Sequence, residues 1–353
     1  MHHNQGARGV PRTTIPILDK IRRDPASILQ LGEAETVAAV SQSFQYRIRR
    51  FGNTLHCHAP GFSQVQYEIT NFAPAKKGVF ESISITGTAC ALQCDHCRGY
   101  LLNIMRRATN ATFERVLNDV IASGAKGILV SGGSDAEGKV PVIQNIDALR
   151  NAKKDHDIEI VVHSGYMEDD EIAAFKDARV DGIMFDFIGS GATARSVCHL
   201  NTQPADYARM VSTCKRLKIP VMPHVVIGLD WGAIKGEVEA LSRLGKLQPD
   251  VLVLVILMPF PGTPMEKITP DLHTVEKIIL LARVLNPAIP VQLGCARPHG
   301  DFKEQVERFA IRCGINGIAF PLEETTQHAR ELGLNIEFHD DCCSLICKHI
   351  RTV

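Results

Sequence analysis

The sequence predicts an α/β fold, a (βα)8 TIM-type barrel of parallel strands with a helical extension before it and a cysteine-rich tail after it. Three observations carry that prediction. Near-continuous apolar runs of strand length recur along the chain. Segments of helical length, each with one apolar face, lie between them. No long interruption marks a crossover where an open, doubly wound sheet would reverse its strand order.

Residues 1–78 form the extension. The stretch 16–51 reads as mostly helical, with an apolar stripe through Leu18, Ile21, Ile28 and Leu31. Asp24-Pro25 divides it, as N-cap and first position of a second helical piece. Gly52-Asn53 breaks the pattern, and 54–58 is strand-like. The barrel follows over 79–333. Its strands are expected at 83–86, 127–130, 159–163, 182–185, 221–227, 251–258, 290–293 and 317–320. Its helices are expected at 112–124, 141–154, 168–177, 204–217, 232–246, 271–285, 301–313 and 322–332. Runs this apolar suit strands buried on both faces, as a parallel sheet sheathed by helices requires. Functional residues then belong at the C-terminal ends of the strands. The tail is 334–353.

Composition excludes several function classes. The chain has 353 residues, with 45% apolar and 22% charged, as in a soluble globular protein. Lys and Arg number 39, as do Asp and Glu, so no global field favours a nucleic acid or another polyanion. Aromatics are only 6%, too few for a base-stacking platform. The longest apolar run, 251–258, is far short of the roughly 18 residues a membrane span needs. The first residues hold no apolar segment of the signal-peptide kind, and no lipidation signal is present. The cytoplasm is therefore the expected compartment, and reduced or metal-bound thiols are expected over disulfides.

The 11 cysteines carry the chemistry. Just past the first barrel strand stands Cys90-Ala-Leu-Gln-Cys94-Asp-His-Cys97. Three thiolates at C-x3-C-x2-C can wrap one face of a cubane cluster and leave its fourth iron open. A structural zinc site would need a fourth ligand that this loop lacks.

The motif and its placement resemble the radical S-adenosylmethionine (radical SAM) superfamily. The resemblance implies a 4Fe–4S cluster on Cys90, Cys94 and Cys97, with SAM on the open iron. It also implies reductive cleavage of SAM to a 5′-deoxyadenosyl radical that abstracts hydrogen from an unactivated carbon. Gly132 and Gly133, with Ser134 and Asp135, take the place of the Gly-Gly-Glu that faces the SAM amine. Serine replaces the glutamate, so backbone carbonyls or Asp135 would hold the amine. His163 and Ser164 resemble the position that touches the SAM ribose or carboxylate. Ile227 and Gly228 look like the adenine-contacting segment. His96 stands where the superfamily has an aromatic residue.

Further segments resemble the biotin and lipoyl synthase-like branch: 190–200 with His199-Leu200-Asn201, the Pro-Gly-Thr-Pro turn of 258–265, and Gly294-Cys295-Ala296-Arg297-Pro298. More narrowly they resemble a subunit of the two-component, archaeal-type lipoyl synthases. That implies a sulfurtransferase acting on an octanoyl chain carried by a lipoyl carrier protein. The partners would be that carrier, a companion synthase subunit and a low-potential electron donor. The N-terminal auxiliary cysteine cluster and the serine-rich end of single-chain lipoyl synthases are absent.

A second cysteine set lies in the tail, Cys342-Cys343-Ser-Leu-Ile-Cys347, flanked by Asp340 and Asp341. A tail folded over the barrel mouth would bring these thiols to Cys295, with Cys57 as another partner. A second iron–sulfur cluster that donates sulfur, a zinc site and unligated thiols are all open readings, because soft thiolates suit each. Arg297 is read either as a neighbour of that centre or as half of a salt bridge. Cys198, Cys214 and Cys313 read as buried packing. Small residues at 189–192 would leave the mouth wide enough for a lysine-borne arm. Two other readings remain: a radical SAM rearrangement or metallocofactor assembly, and a non-enzymatic iron–sulfur carrier.

Overall fold

The computed structural model describes residues 16–60 and 78–350; the opening segment read for a signal peptide lies outside them. Eleven strands form one curled sheet. They are β1 (Thr54–His58), β2 (Phe80–Ser84), β3 (Arg106–Arg107), β4 (Gly127–Ser131), β5 (Glu159–His163) and β6 (Gly182–Asp186). The remainder are β7 (Val221–Ile227), β8 (Leu252–Ile256), β9 (Val291–Leu293), β10 (Gly317–Ala319) and β11 (Asn335–His339). The order is β11-β1-β10-β9-β8-β7-β6-β5-β4-β2-β3. Every ladder is parallel, and among the described residues none joins the two ends of the sheet.

The expected α/β barrel architecture is therefore present, as a curled parallel half-barrel. Helices lie between successive strands from Phe113–Ala122 to Glu323–Glu331. In the extension, the helix Pro16–Arg23 gives way at Asp24 to a 3₁₀ turn, Pro25–Gln30. Leu18, Ile21, Ile28 and Leu31 are all buried. Strand 54–58 is not peripheral. Thr54–His58 pairs with β10 on one side and β11 on the other.

Two differences from the sequence reading have simple causes. The first barrel strand covers Phe80–Ser84, because Glu81, Ser82 and Ser84 are buried in spite of their polarity. β11 was read as tail, because it is an edge strand with only Ile336 and His339 partly covered.

The fold has two cores. One lies between sheet and helices. The other fills the inside of the curl with Phe80, Val161, Met184, Met222, Val251 and Val253, together with Leu345 and Ile346 from the tail. Sequence reasoning placed the tail over the barrel mouth; instead it enters the barrel. Ser344, Leu345 and Ile346 are fully buried, and Lys348 Nζ reaches Glu159 Oε1 at 2.5 Å and Asp181 Oδ1 at 3.2 Å. Those carboxylates mark the N-terminal ends of β5 and β6, so the tail crosses the lumen from one end towards the other. Burying each apolar side chain of this size contributes about 1.5–3 kcal/mol, which is why Leu-Ile goes inside.

Candidate functional site

The cysteine loop leaves the C-terminal end of β2. Ala89 N–H donates to Thr86 O at 3.1 Å, and Ala91 N–H to Ser134 O at 2.8 Å. Within the loop, Arg98 N–H donates to Cys94 O at 2.9 Å and Tyr100 N–H to Cys97 O at 2.7 Å. Gln93, Arg98 and Gly99 take left-handed backbone conformations, which fold the loop back on itself. Cys94 is buried, and Cys90 and Cys97 are half-buried.

The glycine loop after β4 supports this turn from below. Gly133 N–H donates to Thr86 Oγ1 at 2.7 Å. A Cβ on Gly133 would lie 1.9 Å from Ala89 O and 2.6 Å from Cys90 Cα. Only glycine allows that approach. An open cleft above the contact is lined by Thr86, Thr88, Cys90, Gln93, Gly133 and Asp135.

The donor set fits a soft-metal cluster. The Cys94 and Cys97 thiols share a hydrogen bond. The contact with Cys198 holds the Cys94 thiol well above its ordinary range. Cys97 is pushed up to about 12 by its bond with Cys94 and then by burial. These are protonated thiols that would release protons on binding iron. Burial works against a charged His96, but its bond to Cys97 outweighs that and its pKa is raised. Its buried Nδ1 has no partner among the described residues, and ligand atoms of Cys94, His96 and Cys198 all lie within 4.8 Å of one another. His96 thus faces the thiols. Sequence reasoning took Cys198 for packing alone. It is buried, and its carbonyl also accepts from Cys94 Sγ at 3.5 Å.

The other predicted residues sort into two groups. Asp135 Oδ1 accepts from its own loop, from Glu137 N–H at 3.0 Å and Lys139 N–H at 2.9 Å. Gly228 N–H donates to the buried Glu237 Oε1 at 2.7 Å, so a carboxylate pins the segment after Ile227. The crevice behind it, between Asp186 and Glu237, is narrow, and its Thr193 and Asp230 are bonded to each other at 2.8 Å. The open cleft at Cys90 is therefore the better site. Ser164 is buried and bonds through its backbone to Met184 and Val140.

His163 faces the lumen, where its Nε2 is 4.0 Å from Asp186 Oδ1 and its ring is 5.5 Å from that of His224. Sequence reasoning missed Asp186 and His224. The available signal was a polar residue inside each of two apolar strands.

On the far side of the same rim, Cys295 follows β9. The Cys342 and Cys343 thiols share a hydrogen bond, which lowers the Cys342 thiol and raises that of Cys343; Cys343 is also raised by Cys295, and Cys295 by Cys342. Cys347 does not join them. Its charged neighbours are Asp250 and Lys348, towards the N-terminal ends of the strands, because the 3₁₀ turn Cys343–Lys348 carries it along the lumen. Cys57 is buried against the helices, on the face of β1 opposite His56 and His58.

Arg297 is half of a salt bridge. Its guanidinium bonds Glu307 Oε1 at 2.9 and 2.5 Å and the carbonyls of Gly294, Ala319 and Phe320. The small residues at 189–192 do not widen the mouth: a Cβ on Gly189 would meet Gly236 O at 1.9 Å, and one on Gly191 would meet Gln203.

No protein-family model matches the sequence. Over 204 residues the chain is 26% identical to the biotin synthase of Porphyromonas gingivalis, across 55% of this chain and 60% of that protein. The match therefore spans less than two thirds of that relative. Among solved structures, methylornithine synthase superposes with a TM-score of 0.60 at 13% identity, covering 91% of this chain and 97% of that one. HydG, a maturase of the FeFe-hydrogenase, gives a TM-score of 0.63 at 15% identity, covering 94% and 76%. These likenesses show the fold, a curled parallel α/β half-barrel shared with methylornithine synthase and HydG. The sequence likeness is to a biotin synthase. The resemblance to a lipoyl synthase subunit has no support in these comparisons. Among the described residues, no helix is long and apolar enough to cross a membrane.

Proposed function

We propose that the chain is a radical SAM enzyme whose reducing cluster is held by Cys90, Cys94 and Cys97. The observation that carries this reading is the cradle formed by Gly133 against Ala89 and Cys90, beside three free thiols and an orphaned His96 nitrogen. A cubane cluster held there would supply an open iron for SAM and the electron that cleaves it. The chain's own residues do the remainder. Gly132 and Gly133 bring backbone to the cleft floor, Ser134 holds the cysteine loop, and Glu237 fixes the turn at Gly228. His163, Asp186 and His224 offer polar contacts inside the barrel, where the apolar tail keeps water out of its far end.

The finer reading is sulfur insertion into an octanoyl chain on a lipoyl carrier protein, with a companion synthase subunit and a low-potential reductant as partners. It is supported by the placement of Cys295, Cys342 and Cys343 at the end of the barrel that also bears the triad. They would hold a second iron–sulfur centre that gives up sulfur, without Cys347. The competing reading, rearrangement or metallocofactor assembly, keeps the SAM radical and needs no sulfur transfer.

The test is mass analysis of an octanoyl-lysine carrier domain after anaerobic incubation with reductant and SAM. Sulfur gained by the octanoyl group supports sulfur insertion. SAM cleavage with an unchanged carrier leaves the radical SAM reading and removes the octanoyl one.

A further inference from the structure

Four histidines and two carboxylates converge where β1, β11 and the tail meet. His56 and His58 alternate on the lumen face of β1, and β11 pairs His56 with Glu337 and His58 with His339. His56 Nδ1 is 2.9 Å from His339 Nε2 and 3.7 Å from Glu337 Oε2. The ligand atoms of these three residues all lie within 4.8 Å of one another. Asp341 sits behind them, with Oδ1 2.9 Å from His58 Nδ1 and Oδ2 2.6 Å from His349 Nε2. The His339 and His349 rings stack at 3.8 Å.

Packing alone does not explain this arrangement. His58 is fully buried, and its Nε2 has no partner among the described residues. An unsatisfied buried nitrogen of this kind costs stability. Two imidazole nitrogens at 2.9 Å share one proton at most. A histidine bonded to a carboxylate through one nitrogen, with the other bare, is how proteins hold a histidine for a metal. Two imidazoles and a carboxylate around one point are a donor set for a divalent first-row ion such as zinc or ferrous iron.

We propose that His56, His339 and Glu337 bind one divalent transition-metal ion, beside His58 and His349, which Asp341 orients. The ion joins the edge strand β11 to β1 at the point where the tail leaves β11. The site contains no thiol and is independent of the cysteine triad and of the enzymatic reading above. Glu337 is largely exposed, with a side chain 57% accessible, so it can turn onto an ion at little cost.

The test is titration of the full chain, in the Cys90→Ala/Cys94→Ala/Cys97→Ala background, with cobalt(II) alone. One equivalent should produce visible d–d absorption without the intense near-ultraviolet charge transfer of a cobalt–thiolate. His56→Asn/His339→Asn should abolish it. Glu337→Gln, at an exposed position that leaves the fold intact, should weaken binding about tenfold. The proposal is overturned by the absence of a visible band, by a band that all three substitutions leave unmoved, or by a band carrying thiolate charge transfer, which would put the ion on Cys295, Cys342 and Cys343.

Discussion

Gly133 and Ala89 are in backbone contact so close that a Cβ on Gly133 would lie 1.9 Å from the Ala89 carbonyl oxygen. This contact sets the height of the cysteine loop over the glycine loop. Gly133→Ala must push the two apart. The expected outcome is loss of most reconstituted iron and a destabilisation of about 1–3 kcal/mol, the usual cost of overpacking. Iron content and urea midpoints check it; full iron at unchanged stability would show that the contact does not position the loop.

The two halves of the second thiol set should separate. Cys342→Ala or Cys343→Ala is expected to remove iron beyond that held by the triad, whereas Cys347→Ala, beside Asp250, should leave it in place. Iron and sulfide quantitation after anaerobic reconstitution distinguishes them. Equal losses in all three variants would contradict the geometry.

Arg297 and Glu307 form a fully buried pair, with side chains 1% and 0% accessible. Arg297→Met leaves the buried Glu307 carboxylate with only Lys303 Nζ, 3.7 Å away, as an ion partner, and breaking a buried pair typically costs about 3–5 kcal/mol. A fall in thermal stability of the apo chain is expected. A variant of native stability that loses only iron would make Arg297 a neighbour of a metal centre instead.

The tail should behave as core. Ile346→Ala removes a fully buried side chain from among Val253, Met222 and Phe80, at an expected cost of about 2–5 kcal/mol. Chemical denaturation measures it, and a cost near zero would mean that the tail does not occupy the lumen in solution.

Stability should also fall in mild acid. His224 is pushed down to about 4, by desolvation and then by His163, while an unfolded histidine titrates near ~6.5. Between these values the unfolded chain binds a proton that the folded chain does not. Stability therefore rises with pH across that window and is lost as pH drops through it. Urea midpoints at pH 7 and pH 5 should differ more for the native chain than for His224→Gln. An identical pH slope in the two would contradict the assignment.

A strand such as β8, Leu252–Ile256, was legible because burial on both faces writes itself as an unbroken apolar run. The cysteine triad was legible because its three ligands lie within one loop. Other features depend on contacts between segments distant in the chain. Asp186 and His224 sit on neighbouring strands, and nothing local tells a lumen-facing polar residue from a paired one. The histidine cluster joins His56 and His58 to His339 and His349 across most of the chain, through an edge strand too exposed to register as one. Cys342, Cys343 and Cys347 are close in sequence, which suggested one centre. A 3₁₀ turn driven into the barrel by Leu345 and Ile346 carries the third thiol away from the other two.

The central claim is that Cys90, Cys94 and Cys97 build a SAM-cleaving centre. It is tested most directly by incubating the reduced, anaerobically reconstituted chain with SAM and quantifying 5′-deoxyadenosine, beside the Cys90→Ala/Cys94→Ala/Cys97→Ala variant. The expected result is formation of 5′-deoxyadenosine by the native chain and none by the variant, with about four irons per chain lost. No 5′-deoxyadenosine from a fully reconstituted native chain, or equal amounts from both proteins, would contradict the claim.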